Sequence, residues 1–241
     1  MMILTTVSEK VSETEARVFW RVGTKKKGIL DVTLDFAHEE SALLGELVAI
    51  QHLLFAKKVL DREPGSGQGY KLVVSKGAIR KLALGKSSKK FASKFAGFLT
   101  NRMKGVTIEV SQSYEFMPTL DECEPESIGG ERQVYAKTFD EVETPAMGCV
   151  KVTKHAVEQY QARITSGSPK KPWASLVNRL KHPELRIQPL DAKVLAHKAR
   201  KYGRSDNVEA WGHPTSSFIY LVIREDNGER FLVTVFERDE V

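Results

Sequence analysis

Cysteine is nearly absent. The 241 residues hold two, Cys123 and Cys149, too few and too far apart for a disulfide framework or a thiolate metal centre. No apolar run approaches the roughly 18 residues that a membrane-crossing helix needs. Residues 1–10 lack the basic stretch followed by an apolar one that marks a secretory leader. These absences predict an intracellular, cytoplasmic protein. The six histidines show no paired metal-ligand spacing and stand apart from both cysteines, so neither a metal nor an organic cofactor is expected. Gly65-Ser-Gly-Gln-Gly69 lacks the Lys-Ser/Thr of a phosphate-binding loop and precedes a strand, which leaves it a flexible connection. The chain has no internal repeat.

One further absence is local. Between Lys71 and Lys104 there is no Asp or Glu, while ten Lys or Arg are present. Inside that window, Lys86-Ser-Ser-Lys-Lys-Phe-Ala-Ser-Lys-Phe-Ala-Gly-Phe sets amines on one side of a helical pattern and phenylalanines on the other. A solvated helix face normally mixes signs, because opposite charges at i,i+4 support each other and like charges repel. A one-sign face is stabilised when a polyanion lies against it, and the phosphate backbone of a nucleic acid is the commonest such partner. The candidate phosphate contacts are Lys86, Lys89, Lys90, Lys94, Arg102 and Lys104. The whole chain agrees in sign, with net charge +6 and pI near 9.2. Tyr70, Phe91, Phe95 and Phe98 could stack on bases, but Phe at i, i+4 and i+7 reads first as core.

Hydrophobic content of 41% and charged content of 28% are those of an ordinary globular protein. Charge divides the chain in three. Residues 1–117 carry 19 basic and 12 acidic side chains, residues 118–148 carry 2 and 8, and residues 149–241 carry 16 and 11. The expected organisation is α+β in two domains, 1–117 and 148–241, joined by an acidic linker over 118–147 rich in Pro and Gly. The first domain reads βββ-α-β-α-β, with strands over 3–11, 17–22 and 29–36, a helix over 39–60, a strand over 70–74, a basic helix over 87–104 and a strand over 106–110. The second opens with a short strand and a helix over 153–164, whose Val157, Tyr160 and Ile164 face inward. Pro172 starts a second helix, and a third runs from Asp191 to Gly203. On the third, Lys193, His197, Lys198, Arg200, Lys201 and the following Arg204 make a second basic stripe. Three antiparallel strands over 207–212, 218–224 and 229–237 close the domain, with Asp226-Asn-Gly228 as a hairpin turn.

The order of the first domain, together with Glu46-Leu-Val-Ala-Ile-Gln-His-Leu-Leu in its first helix, resembles the ribonuclease H-like fold. That resemblance implies a metal-binding Glu at Glu46, an Asp in the first strand and another ending the fourth. The sequence offers Thr5 and Thr6 at the one place and Ser75 at the other. Two-metal hydrolysis needs several carboxylates to hold both cations, so the resemblance implies a nucleic-acid-binding platform without that chemistry. In the second domain, His155-Ala-Val-Glu-Gln-Tyr-Gln-Ala-Arg163 on an early helix and Phe231-Leu-Val-Thr-Val-Phe-Glu-Arg238 on a closing strand resemble the small ribonuclease fold of barnase, colicin-type and RelE-type toxins. A faint similarity to RNA-binding proteins of large bacteriophages rests on no motif.

Metal-free RNA cleavage needs a base for the 2′-OH, an acid for the leaving oxygen and a cation for the phosphorane charge. His155 and His213 are the candidate base and acid, Arg163 or Arg238 the cation, and Thr234 or Ser217 the group that orients the phosphate. His182 and His52 read as structural. The expected function is RNA binding through basic surfaces on both domains, largely independent of sequence, without metal-dependent nuclease activity. The alternative is an active metal-independent endoribonuclease in the C-terminal domain. RNA, single-stranded or structured, is the expected partner. DNA is a second polyanion that the charge would accept; no membrane and no small-molecule cofactor are expected.

Overall fold

Three successive strands, buried on both faces over their central residues, build an antiparallel meander from β1 (Met2–Lys10), β2 (Glu15–Val22) and β3 (Lys26–Leu34). Gly23 turns the second corner at φ +61°, a conformation that suits glycine best. The computed structural model describes residues 1–164, 171–190, 196, 200, 204 and 206–238. Contacts divide the chain into two compact units, Met1–Thr138 and Phe139–Val241. Among the described residues each unit is built on one six-stranded mixed sheet, so the protein is mixed α+β. No helix among these residues is long and apolar enough to cross a membrane.

In the first unit, α1 (Ser41–Gln51) continues into a π-helical turn, His52–Ala56. The chain then forms β4 (Tyr70–Val74), α2 (Gly77–Ala83), α3 (Lys90–Ser93), α4 (Gly97–Thr100) and β5 (Thr107–Val110). Parallel pairing of β1 with β4 and of β4 with β5 extends the meander on one side. On the other side, β6 (Glu126–Gly130) adds parallel to β3, giving the order β5-β4-β1-β2-β3-β6. Residues 41–50 of α1 are buried without exception, because this helix is covered on all sides rather than on one stripe. Gly45 sets its depth, since a Cβ there would lie 2.4 Å from Ala16 Cβ on β2. Leu4, Val18, Leu30 and Val32 of the sheet share a core with Leu44, Leu47, Val48 and Ile50. The opposite face buries Val7, Phe19 and Ile29 under Met117.

Two expectations for this unit need correction. The single basic helix over 87–104 is instead the two one-turn helices α3 and α4, preceded by α2. Gly97, a weak helix former, comes so close to the Lys137 carbonyl that a Cβ would sit 2.8 Å from its oxygen. Like charges at helical spacing also oppose a continuous helix there. The acidic stretch 118–147 is not only a linker. It supplies β6 to the first sheet, then α5 (Arg132–Tyr135), then β7 (Phe139–Thr144) to the second. Its carboxylates stay on the surface, where Glu126 pairs with Lys57 and Glu122 with Lys27.

The second unit runs β7, β8 (Gly148–Thr153), α6 (Lys154–Arg163), α7 (Pro172–Leu180), β9 (Arg186–Ile187), β10 (Val208–Gly212), β11 (Phe218–Arg224) and β12 (Arg230–Glu237). Its sheet order is β7-β8-β12-β11-β10-β9. The sheet is mixed rather than antiparallel throughout, because β12 returns beside β8 in the same direction. Thr153 caps α6 by accepting the Ala156 N–H at 3.2 Å and also donates to the Leu232 carbonyl at 2.9 Å, which ties the helix start to β12. Tyr160 of α6 and Trp173, Leu176 and Leu180 of α7 pack on Val150, Val152, Tyr220 and Leu232. The helix expected over 191–203, with Lys193, His197, Lys198 and Lys201, falls on positions of which only Ala196 and Arg200 are among the described residues.

Candidate functional site

Glu46 is fully buried in α1 and accepts four hydrogen bonds. Thr6 Oγ1 and the Ser75 N–H donate to Oε1 at 2.8 and 2.7 Å; Ser8 Oγ and Ser75 Oγ donate to Oε2 at 3.0 and 2.7 Å. Thr6 and Ser8 share one face of β1 because strand side chains alternate, and Thr5 therefore points the other way. Ser75 follows β4, whose parallel pairing with β1 brings it alongside. Four donors use the four acceptor positions of a carboxylate, so nothing is left open for a cation. Burial drives the Glu46 carboxyl above its ordinary range, and the hydrogen bonds from Ser75, Thr6 and Ser8 offset this only in part. Of Thr5, Thr6 and Ser75, named where the resemblance implies acidic residues, Thr6 and Ser75 bond Glu46; Ser8, which was not named, lies one two-residue strand period from Thr6.

The ten cations between Lys71 and Lys104 separate into two groups. Lys71 pairs with Glu109, Arg102 with Glu63, and Lys89 Nζ holds both oxygens of Glu40 at 2.6 Å. Lys76 Nζ donates to the Ser8 carbonyl at 3.0 Å, and Lys104 also has a partner. The other five, Arg80, Lys81, Lys86, Lys90 and Lys94, are exposed and have no ion-pair partner among the described residues. They lie on α2, α3 and the turns after each, where the Lys86 N–H bonds the Lys81 carbonyl at 2.9 Å and holds that loop against the end of α2. Phe95 and Phe98 face the core, as their spacing predicts, and Tyr70 is buried as well. Phe91 differs: it is 37% exposed and stacks on His38 with ring centroids 4.1 Å apart.

Of the second basic stripe, only Arg200 and Arg204 are among the described residues. Arg204 forms two hydrogen bonds to Asp206, at 2.8 and 2.7 Å, and one to Asp226 at 2.9 Å, so its charge is compensated locally. Arg200 is exposed; Lys193, Lys198 and Lys201 lie outside the described residues.

Of the candidate catalytic residues of the second unit, His213 and Ser217 line one cavity, and His155, Arg163 and Thr234 are not among its lining residues. His155 is exposed at the second position of α6, Arg163 bonds Gln159 one turn back, and Thr234 sits half-buried on β12 opposite Leu221. His213 has other neighbours. It lines a cavity of about 440 Å³ with Arg179, His182, Ser216, Ser217 and Tyr220. His213 Nε2 lies 3.2 Å from Glu184 Oε2, and the His182 ring meets His213 edge-on, with centroids 4.2 Å apart. Arg179 Nε donates to the Tyr160 hydroxyl at 2.8 Å, which fixes the guanidinium beside the cavity. Arg238 Nη2 donates to the His213 carbonyl at 3.5 Å. His182, expected to be structural, is thus the histidine that joins His213. The one sequence signal for this was the His182-x-Glu184 spacing. Comparison with protein-family models, with curated proteins and with solved structures gives no significant match for the chain.

Proposed function

We propose that this protein binds RNA through phosphate contacts made largely without regard to sequence, using the cationic surface of α2 and α3 in its first unit. The observation that carries the reading is the set of five exposed cations, Arg80 to Lys94, with no acidic partner among the described residues. Uncompensated like charges within fifteen residues repel one another, and a polyphosphate chain relieves that repulsion while releasing counterions. Phosphate contacts of this kind position a chain without reading its bases.

A ribonuclease H-like platform is part of the proposal. It is supported by the order β3-β2-β1-β4-β5, with an antiparallel meander followed by strands parallel to β1. Thr6, Ser8 and Ser75 surround Glu46 with hydroxyls where two-metal hydrolysis would need carboxylates, which supports binding without metal-dependent cleavage at that place. RNA is preferred to DNA because both folds that the sequence resembles handle RNA. Two free cysteines support a reducing, cytoplasmic setting.

A gel shift with generic single-stranded RNA, run beside a cleavage assay in EDTA, tests the reading. Binding of intact RNA that weakens steeply with salt supports it. Degradation of RNA in EDTA, abolished by His155→Ala, would favour the metal-independent endoribonuclease. No binding at physiological salt rejects both.

A further inference from the structure

Three groups suited to one metal ion meet beside the cavity of the second unit. One ligand atom each from His182, Glu184 and His213 lies within 4.8 Å of the other two. Two come from a single short segment after α7, and the third from the turn between β10 and β11. In both histidines Nδ1 is already engaged. His182 Nδ1 accepts the Glu184 N–H at 3.3 Å, and His213 Nδ1 accepts the Thr215 N–H at 3.2 Å. Nε2 is the nitrogen that each ring has left. His213 Nε2 is buried and near Glu184 Oε2, but it lies off the hydrogen-bond direction and has no hydrogen-bond partner among the described residues. A ring nitrogen shut off from water and left unpaired is uncommon and asks for a ligand.

An anion and a cation compete for that place. Ring centroids 4.2 Å apart leave no room for a phosphate between the imidazoles, and the Glu184 carboxylate would repel one. A cation fits better. Zinc–ligand bonds of about 2.0–2.2 Å set tetrahedral ligand atoms roughly 3.3 Å apart, so a modest contraction of the triangle closes a coordination shell. Coordination through Nε2 puts each ring proton on Nδ1 and displaces two long backbone contacts. Those are weak beside three metal–ligand bonds. Two imidazoles with one carboxylate select first-row transition metals over magnesium or calcium.

We propose that His182, Glu184 and His213 bind one divalent transition-metal ion, zinc foremost, through both Nε2 atoms and the carboxylate. A fourth position then opens toward the cavity that His182 and His213 line. The site stands independently of RNA binding by the first unit.

The full chain, dialysed against zinc and measured by atomic emission, is expected to retain one equivalent. His182→Asn and Glu184→Gln should each weaken binding by more than the 10- to 100-fold typical of losing an outer-shell partner. Cobalt loaded in place of zinc should give visible bands of a four- or five-coordinate ion without thiolate charge transfer. Should either variant unfold, the cobalt spectrum of the unmodified chain decides. No retained metal, metal retained equally by the folded variants, or a thiolate band pointing to Cys123 or Cys149 overturns the proposal.

Discussion

Ser75 donates to Glu46 twice, from its backbone N–H and from its hydroxyl, each at 2.7 Å. One residue at the end of β4 thereby fixes the buried carboxylate of α1, while Thr6 and Ser8 fix it from β1. Helix and both strands are cross-linked through this one buried carboxyl group.

This arrangement sets a pH dependence. Burial raises the folded-state pKa of Glu46 above its unfolded value. Below the unfolded value, near pH 4.3, the group is protonated in both states and imposes no penalty. As pH rises through the folded value, a buried carboxyl must ionise or hold its proton against the solvent, and stability falls. Glu46→Gln removes this titration. Denaturant melts at pH 5 and pH 8 should therefore show the natural chain losing more stability between the two than the Gln variant. A greater loss in the variant would mean that the four hydrogen bonds outweigh burial. Glu46→Ala should be worse than Gln at either pH, by about 1–3 kcal/mol, because it leaves the Ser75 N–H buried without an acceptor.

The division of the ten cations predicts a graded salt dependence. Lys86→Gln, Lys90→Gln and Lys94→Gln should each lower the slope of log K against log salt for RNA binding by about one unit. Lys89→Gln should lower it less, since Glu40 already compensates that amine. Equal effects at all four positions would show that the Glu40 pair opens on binding. No effect at the first three would remove this surface from the interface.

Arg204 provides the contrast from the second unit. With Asp206 and Asp226 on its guanidinium, it has little charge to offer a phosphate. Arg204→Gln should leave the RNA salt slope unchanged within error. A loss of a full unit would place Arg204 in the interface and show that phosphate displaces both aspartates.

Most strands and the helix α1 were legible because period-two alternation and a long apolar run are strong local signals. Glu46 stood out for the same reason, as a carboxylate in an apolar stripe. Three things were not legible. Parallel pairing of β12 with β8, and of β6 with β3, joins segments far apart in sequence and leaves no local mark. The close approach of the Lys137 carbonyl to Gly97, where α4 begins, joins positions forty residues apart. His182 and His213 stand 31 positions apart, and the antiparallel pairing of β9 with β10, Gly212 opposite Arg186, brings their turns together. Charge pattern misled as well. It marked runs of cations but could not say that Glu40, Glu63, Glu109, Asp206 and Asp226 would fold back onto several of them.

Gly45 and Gly77 give opposite predictions for the same substitution. At Gly45 the backbone of α1 lies so near β2 that an added Cβ would be 2.4 Å from Ala16 Cβ, far inside contact distance, with Val32 on the next strand. Gly45→Ala must lift the helix from the sheet, and overpacking of this kind costs about 1–3 kcal/mol or more. Gly77 opens α2 with φ outside the left-handed region, and an added Cβ there meets nothing within 4 Å. Gly77→Ala should stabilise by about 0.4–1 kcal/mol, because it narrows the unfolded ensemble without straining the fold. Denaturant melts of the full chain monitored at Trp20, which packs in the same core as α1, report both changes. A Gly45→Ala chain as stable as the natural one would mean that α1 does not sit on β2 at this depth.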